Sequence, residues 1–243
     1  MKQLAETDVQ STSTSLIDGM LSTRTIRRYT DDPVPDHVLR DIFFAATRAP
    51  SGSNRQPFRF LVLRSGPLAV QAKQLIAEGA QAAWDAKRAR DGYDAGSGSD
   101  HGTAKARFAV TMQHYVDHLA STPILVLACL NRYRAPEYTE GASVYPACQN
   151  LLLAARAYGY GGAMTMFHNN VDAELRALLA IPQSTALCAT ITIGRPAGRH
   201  GAVRRLPLQE LVFEETWERP APWASDPPGT TFTSAGPPPS RPI

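Results

Sequence analysis

The chain has 243 residues, 43% of them apolar, and 25 Lys and Arg against 22 Asp and Glu give it a formal charge of +3. That is enough apolar material for a buried core, which excludes intrinsic disorder over most of the length. So even a charge balance lacks the basic stripe of a nucleic-acid binder, and no apolar run approaches the roughly 18 residues of a membrane span.

In chain order, Met1 to Ser15 is polar and lacks the basic head and apolar middle of a signal peptide, so residues 1–15 are expected to form a flexible N-terminus. Leu16, Ile17, Met20 and Leu21 recur at helical spacing and predict a short helix ending near Ser22. The turn Asp31 to Pro35 leads into a helix with Val38, Leu39, Ile42, Phe43 and Ala46 on its apolar face, and Phe43-Phe44 reads as core. Pro50-Ser51-Gly52-Ser53-Asn54 is a loop, and Phe60 to Leu63 a strand. Helices are expected over 68–88 and 104–119, separated by a mobile loop or lid from Asp91 to Gly102 that holds four glycines. Ile124 to Leu127 reads as a strand, and Ser143 to Ala157 as a helix apolar nearly all round, hence central. Strand Ala163 to Met166, a helix over Asp172 to Leu179 and strand Leu187 to Ile193 complete a single domain spanning 16–217. Eight prolines between Pro220 and Pro242 make residues 218–243 either a disordered tail or an arm lying on a neighbour. Cys129, Cys148 and Cys188 sit singly in apolar stretches, which suits buried thiols in a reducing compartment; the cytoplasm is the expected location. Loose alternation of short helices and strands predicts an α+β fold.

Three segments carry candidate chemistry. In Thr23-Arg24-Thr25-Ile26-Arg27-Arg28-Tyr29, three guanidiniums within five residues offer planar donor forks to an anion. In Pro50-Ser51-Gly52-Ser53-Asn54-Arg55-Gln56-Pro57, small residues allow close backbone approach to a ligand, and Asn54 and Gln56 offer amides. Val203-Arg204-Arg205-Leu206-Pro207-Leu208 supplies a second cation pair. Read singly, each is also compatible with an ordinary solvated turn.

Taken in order, these segments resemble the nitroreductase family, and so does the stretch Tyr145 to Gly159, which looks like that family's dimer helix. The likeness spans about Leu16 to Val212, and the spacing of Thr122 to Leu127 is similar to the flavodeiodinase branch. The resemblance implies a central, mostly antiparallel sheet flanked by helices in an intertwined homodimer, with FMN at the subunit interface. It also implies ping-pong transfer of hydride from NADH or NADPH, through FMN N5, to a nitroaromatic, quinone or related small aromatic acceptor. By position, Arg24, Thr25, Ile26 and Arg27 would hold the flavin, Arg27 acting catalytically near its N1 and O2. Pro50, Ser51, Gly52, Ser53 and Asn54 would come from the partner subunit. Met164, Thr165 and Met166 would pass N5, with a backbone amide or the Thr165 hydroxyl as donor, and Arg204 and Arg205 would add phosphate cations. Thr25 replaces the acidic residue of the flavin-fragmenting branch and argues against that activity.

Two rivals keep the same cofactor: a reductive dehalogenase of halophenols, and a non-catalytic flavin sensor or store. His114 and His118, four apart on a helix, have the spacing of a metal pair but lack an evident third ligand, so an ordinary helix face is expected and no metal. Neither a GxGxxG fingerprint after a strand nor a GxSxG elbow occurs.

Overall fold

The computed structural model describes residues 14–233. The expected flexible N-terminus and the end of the proline-rich tail lie largely outside them. Two compact units divide the chain at Gly201 and Ala202, earlier than the boundary expected at 217.

In the first unit, Ser15 caps α1 (Leu16–Ser22): its hydroxyl accepts from the Asp18 N–H at 3.1 Å. Pro35 precedes α2 (Asp36–Ala46), whose Val38, Leu39, Ile42 and Ala46 recur every three or four residues and are buried. The other helices are α3 (Pro67–Asp91), α4 (Ala104–Asp117), α5 (Tyr145–Ala157) and α6 (Asp172–Leu179). Proline in the first turn of α3 and α5 costs no helical hydrogen bond. The α3 helix ends where Gly92 adopts φ 63°, a left-handed conformation open to glycine.

The strands are β1 (Phe58–Leu63), β2 (Ile124–Asn131), β3 (Gly161–Thr165) and β4 (Thr185–Gly194). They form one antiparallel sheet in the order β1-β2-β4-β3. The β2 strand shows why its sequence is an unbroken apolar run. Its even residues, Ile124, Val126, Ala128 and Leu130, join the core under α2 and α5. Its odd residues, Leu125, Leu127 and Cys129, join the core that includes Ile76 and Trp84 of α3, Tyr115 of α4 and Leu175 of α6. A strand buried on both faces has no polar side to show, so the expected α+β class becomes a helix–sheet–helix sandwich.

Four expectations need correction. Phe44 is not core: it is 64% exposed, one step around α2 from half-buried Phe43, with the Arg48 guanidinium 4.6 Å from its ring centre. The α5 helix is not buried all round; Ala147, Cys148, Leu151 and Ala155 form one buried face, and the other residues keep some exposure. The β3 strand begins at Gly161, two residues early, and Met166 already lies beyond it. Asp91 to Gly102 is not bare loop: α3 reaches Asp91, and Gly96–Gly98 forms a tight helical turn. All three cysteines are buried and free, as expected.

The second unit, described to residue 233, has little regular structure. Phe213 bridges to Pro220 and packs on Trp217 with ring centres 5.2 Å apart, while Arg205 bridges to Phe232. No helix among the described residues is long and apolar enough to cross a membrane.

Candidate functional site

The arginine segment leaves α1 as extended chain and is tied to the end of the sheet by its backbone. Ile26 N–H donates to Gly162 O of β3, Thr30 N–H to Arg195 O, and Ala197 N–H to Arg28 O, at 2.9, 2.9 and 3.0 Å respectively. The Tyr29 hydroxyl donates to Ile26 O at 2.6 Å and meets the Thr192 hydroxyl at 2.8 Å, which the Tyr115 hydroxyl also meets at 2.8 Å. Ile26 and Tyr29 therefore anchor the segment, and Arg24, Thr25 and Arg28 remain exposed. Arg27 is half-buried with its guanidinium 5.4 Å from the centre of the Phe108 ring. Burial lowers its pKa, a tendency that Arg24 reinforces and Tyr115 and Tyr29 oppose. An arginine so shifted stays charged at neutral pH. Its Nε is buried without a partner, and among the described residues Arg24, Arg27 and Arg28 form no ion pair.

The link from Ile26 to Gly162 places this cationic segment alongside β3. Met164 and Met166 are 41% and 42% exposed there, between them Thr165, whose hydroxyl donates inward to Thr190 O at 3.4 Å. Of the two donors left open at Thr165, the hydroxyl is thus already engaged, and the backbone amides are the better candidates. Glycine permits the approach: a Cβ on Gly161 would lie 2.5 Å from Ile26 Cγ1, and one on Gly162 would lie 2.5 Å from Thr192 O.

The Pro50 to Asn54 loop lies elsewhere. Gly52 N–H donates to the Ser143 hydroxyl at 3.3 Å, just before the start of α5, whereas Gly161 and Gly162 follow its end. Thirteen helical residues separate these points, about 20 Å at ~1.5 Å per residue. Within one chain, then, the loop is not brought to the arginines. It is exposed and strained, with φ of 50°, 52° and 49° at Ser53, Asn54 and Gln56. Each such conformation costs about 1–2 kcal/mol for a residue with a Cβ. Arg204 and Arg205 are exposed in the second unit, where Arg205 Nη1 donates to Arg204 O at 2.8 Å.

Sequence reasoning missed Arg156 and His200. His200 Nε2 lies 3.1 Å from Tyr160 O, its Nδ1 is buried and unpartnered, and so is Arg156 Nε. Burial foremost lowers the His200 pKa, the Tyr160 carbonyl opposes it, and Arg156 and Arg24 lower it further, so the ring lies within the positive field of those two arginines. An arginine closing an otherwise apolar helix was the one available hint of this; nothing in the sequence marked His200. Trp84 and Tyr93 pack against each other: their ring centres are 5.2 Å apart, Phe108 joins them, and Trp84 Nε1 donates to Gln113 Oε1 at 2.9 Å. His114 and His118 stack with ring centres 4.2 Å apart, and no set of three potential metal ligands occurs among the described residues.

Unpaired guanidiniums beside the exposed Met164 and Met166 suit an anionic ligand that also carries a flat ring. The nitroreductase family model matches residues 20–195, a span that includes both the arginine segment and β3. The chain belongs to the nitroreductase family. It is 31% identical over 201 residues to an NADH dehydrogenase of Thermus thermophilus, across 79% of this chain and 92% of that one. With an iodotyrosine deiodinase of Nematostella vectensis the identity is 26%, covering 85% of this chain and 77% of the other. A Desulfovibrio desulfuricans protein solved in complex with FMN superposes with a TM-score of 0.61 at 29% identity, over 85% of this chain and 99% of its own. Membership bears out the expected fold and makes the chain an oxidoreductase.

Proposed function

We propose that the chain is an FMN-dependent oxidoreductase that takes electrons from NADH or NADPH and delivers them to a small aromatic acceptor such as a nitroaromatic or a quinone. The carrying observation is the junction of Ile26 with Gly162, which sets unpaired arginines beside the exposed end of β3. The FMN-bound neighbour and the NADH dehydrogenase relative support the same reading. Bound here, FMN would supply hydride acceptance and donation at N5.

The protein's part is position and charge. Arg24 and Thr25 would hold phosphate and ribityl oxygens, with Arg156 strengthening the local positive potential. Arg27, buried and unpaired at Nε, would face the pyrimidine edge, where a fixed cation stabilises negative charge without reorganising. The Met164 to Met166 backbone would line the ring. Arg204 and Arg205 of the second unit are proposed as further phosphate cations.

A second subunit completes the proposal. The α1 side chains Leu16, Ile17, Met20 and Leu21, together with Phe44, are exposed large apolar groups, and an apolar groove of about 350 Å³ runs between α1 and Leu153, Ala154 and Ala157 of α5. A second copy seated there would hide this surface, and its Pro50 to Asn54 loop would reach a site that its own chain's loop does not.

The test is to isolate the protein and measure bound flavin. One FMN per chain is expected, bleached anaerobically by NADH or NADPH. Arg24→Ala and Arg205→Ala are expected to weaken FMN binding by about 10- to 100-fold, on ~1.5–3 kcal/mol per hydrogen bond to a charged group. A colourless protein that ignores added FMN would refute the proposal. A flavin that the donors leave oxidised would point to a sensor or store, and turnover confined to halophenols to a dehalogenase.

A further inference from the structure

A cavity of about 140 Å³ lies between the arginine segment and the C-terminal end of α4, and of the proposed flavin-site residues only Arg27 touches it. Its wall carries Arg27, Arg28, Thr30, His114, His118 and Ser121, with Asp31 as the one carboxylate. Two of the wall residues' nitrogens, Arg27 Nε and His114 Nδ1, are buried and have no hydrogen-bond partner. Leaving a buried donor unmet costs about 1–3 kcal/mol, and the Arg27 Nε–H is such a donor; His114 Nδ1 becomes a second one when its ring carries the proton there.

The histidines fit the same need. Their rings are nearly parallel, 13° apart in plane, and His118 Nδ1 lies 2.8 Å from His114 O. To bond a carbonyl, that nitrogen must carry the proton, so His118 Nε2 becomes a second donor only when the ring is charged. Burial, His118 and Arg28 all disfavour charge on His114, and Asp117 favours it. Tyr29 and Tyr115, also on the wall, have their pKa values raised by burial and stay neutral. Two guanidiniums against one carboxylate on the wall add to the terms that disfavour charge on His114. An anion would balance the guanidiniums and reverse that bias at His114.

We propose that this cavity is a binding site for a small oxyanion of sulfate or phosphate type, held by Arg27, Arg28 and the stacked pair His114 and His118. The site shares Arg27 with the flavin reading, whereas Arg28, His114 and His118 take no part in that one. A bound anion favours the charged form of His114, so affinity rises from pH 8 to pH 6.

The test is a calorimetric titration of the full chain with sulfate, and separately with phosphate, at pH 6 and pH 8, with and without saturating FMN. Saturable binding is expected, for sulfate several-fold tighter at pH 6, and retained when FMN is present. Arg28→Ala and His118→Ala, both exposed positions, should each weaken it at least tenfold without changing the melting temperature of the anion-free protein. Four results would each overturn the proposal: no saturation at pH 6, the signature of a water-filled cavity; equal sulfate affinity at both pH values; unchanged affinity in both variants; or loss of binding when FMN is added, which would put the anion in the flavin phosphate seat instead. The sulfate and phosphate arms together report whether size and charge or a specific oxyanion governs the site.

Discussion

His168 holds the turn that follows β3. It is buried, with Nε2 3.2 Å from Leu187 O and Nδ1 3.1 Å from the Thr190 hydroxyl. A neutral ring protonated on Nε2 satisfies both, donating to the carbonyl and accepting from the hydroxyl. Burial lowers its pKa from the ordinary 6.5, more than the Leu187 carbonyl and Asp172 raise it. The unfolded chain then takes up a proton at a pH where the folded chain still refuses one. The stability contributed by the neutral ring is thus complete above pH 6.5 and drains away as the pH falls toward the lowered folded value. On calorimetric scans from pH 8 to pH 5, the wild-type melting temperature should fall faster below 6.5 than that of His168→Gln, whose amide does not titrate. Parallel curves would contradict this account. The residue was invisible in the sequence as a brace, since its two partners lie on β4, about twenty positions away.

Among the elements, β3 is where sequence and structure part most instructively. Gly159, Gly161 and Gly162 follow α5 closely, and only the first takes the left-handed conformation of a helix stop, with φ 78°. The other two are strand residues without side chains because Ile26, His200, Leu152 and the Thr192 backbone occupy the space. Gly162→Ala would bring a methyl 2.5 Å from Thr192 O and 2.7 Å from Leu152 Cδ2. The expected cost is about 1–3 kcal/mol of stability, as for an overpacked core, with weaker FMN binding as the hold of Gly162 O on Ile26 is disturbed. Denaturant unfolding and flavin titration of the variant would check both. Where one element's own pattern decides its fate, the sequence was legible. The bounds of α6 and the buried face of α2 follow from periodicity. Close approach between distant segments leaves no such periodic mark, and the reading of β3, Phe44 and α5 suffered accordingly.

At the scale of the whole molecule, the candidate site was legible as parts and not as a meeting. The arginine segment and Met164 to Met166 were recognisable, and their contact through Gly162 emerged only from the fold. Some 20 Å of helix between the strained loop at Ser53 and the arginines makes sense if the loop serves a second copy. Leu153→Asp, on the α5 groove, should therefore separate the subunits. Burying a leucine contributes about 1.5–3 kcal/mol, and two-fold symmetry counts it twice, so dimer affinity should fall by about 100- to 10,000-fold. Sedimentation velocity would show a monomer that also loses flavin; an unaltered dimer would place the interface elsewhere.

The β3 strand is the last in its sheet, and a terminal strand ordinarily offers bare amides and carbonyls to any passing extended chain. Here Ile26 has taken up part of that offer from within, its N–H bonded to Gly162 O, while Arg28 and Thr30 are tied to residues 197 and 195 just past the end of β4. The cations and the selvedge of the sheet are consequently one piece of polypeptide. A change that frees this stretch would forfeit solubility together with ligand, so damage to the site would be seen as precipitation as much as lost colour.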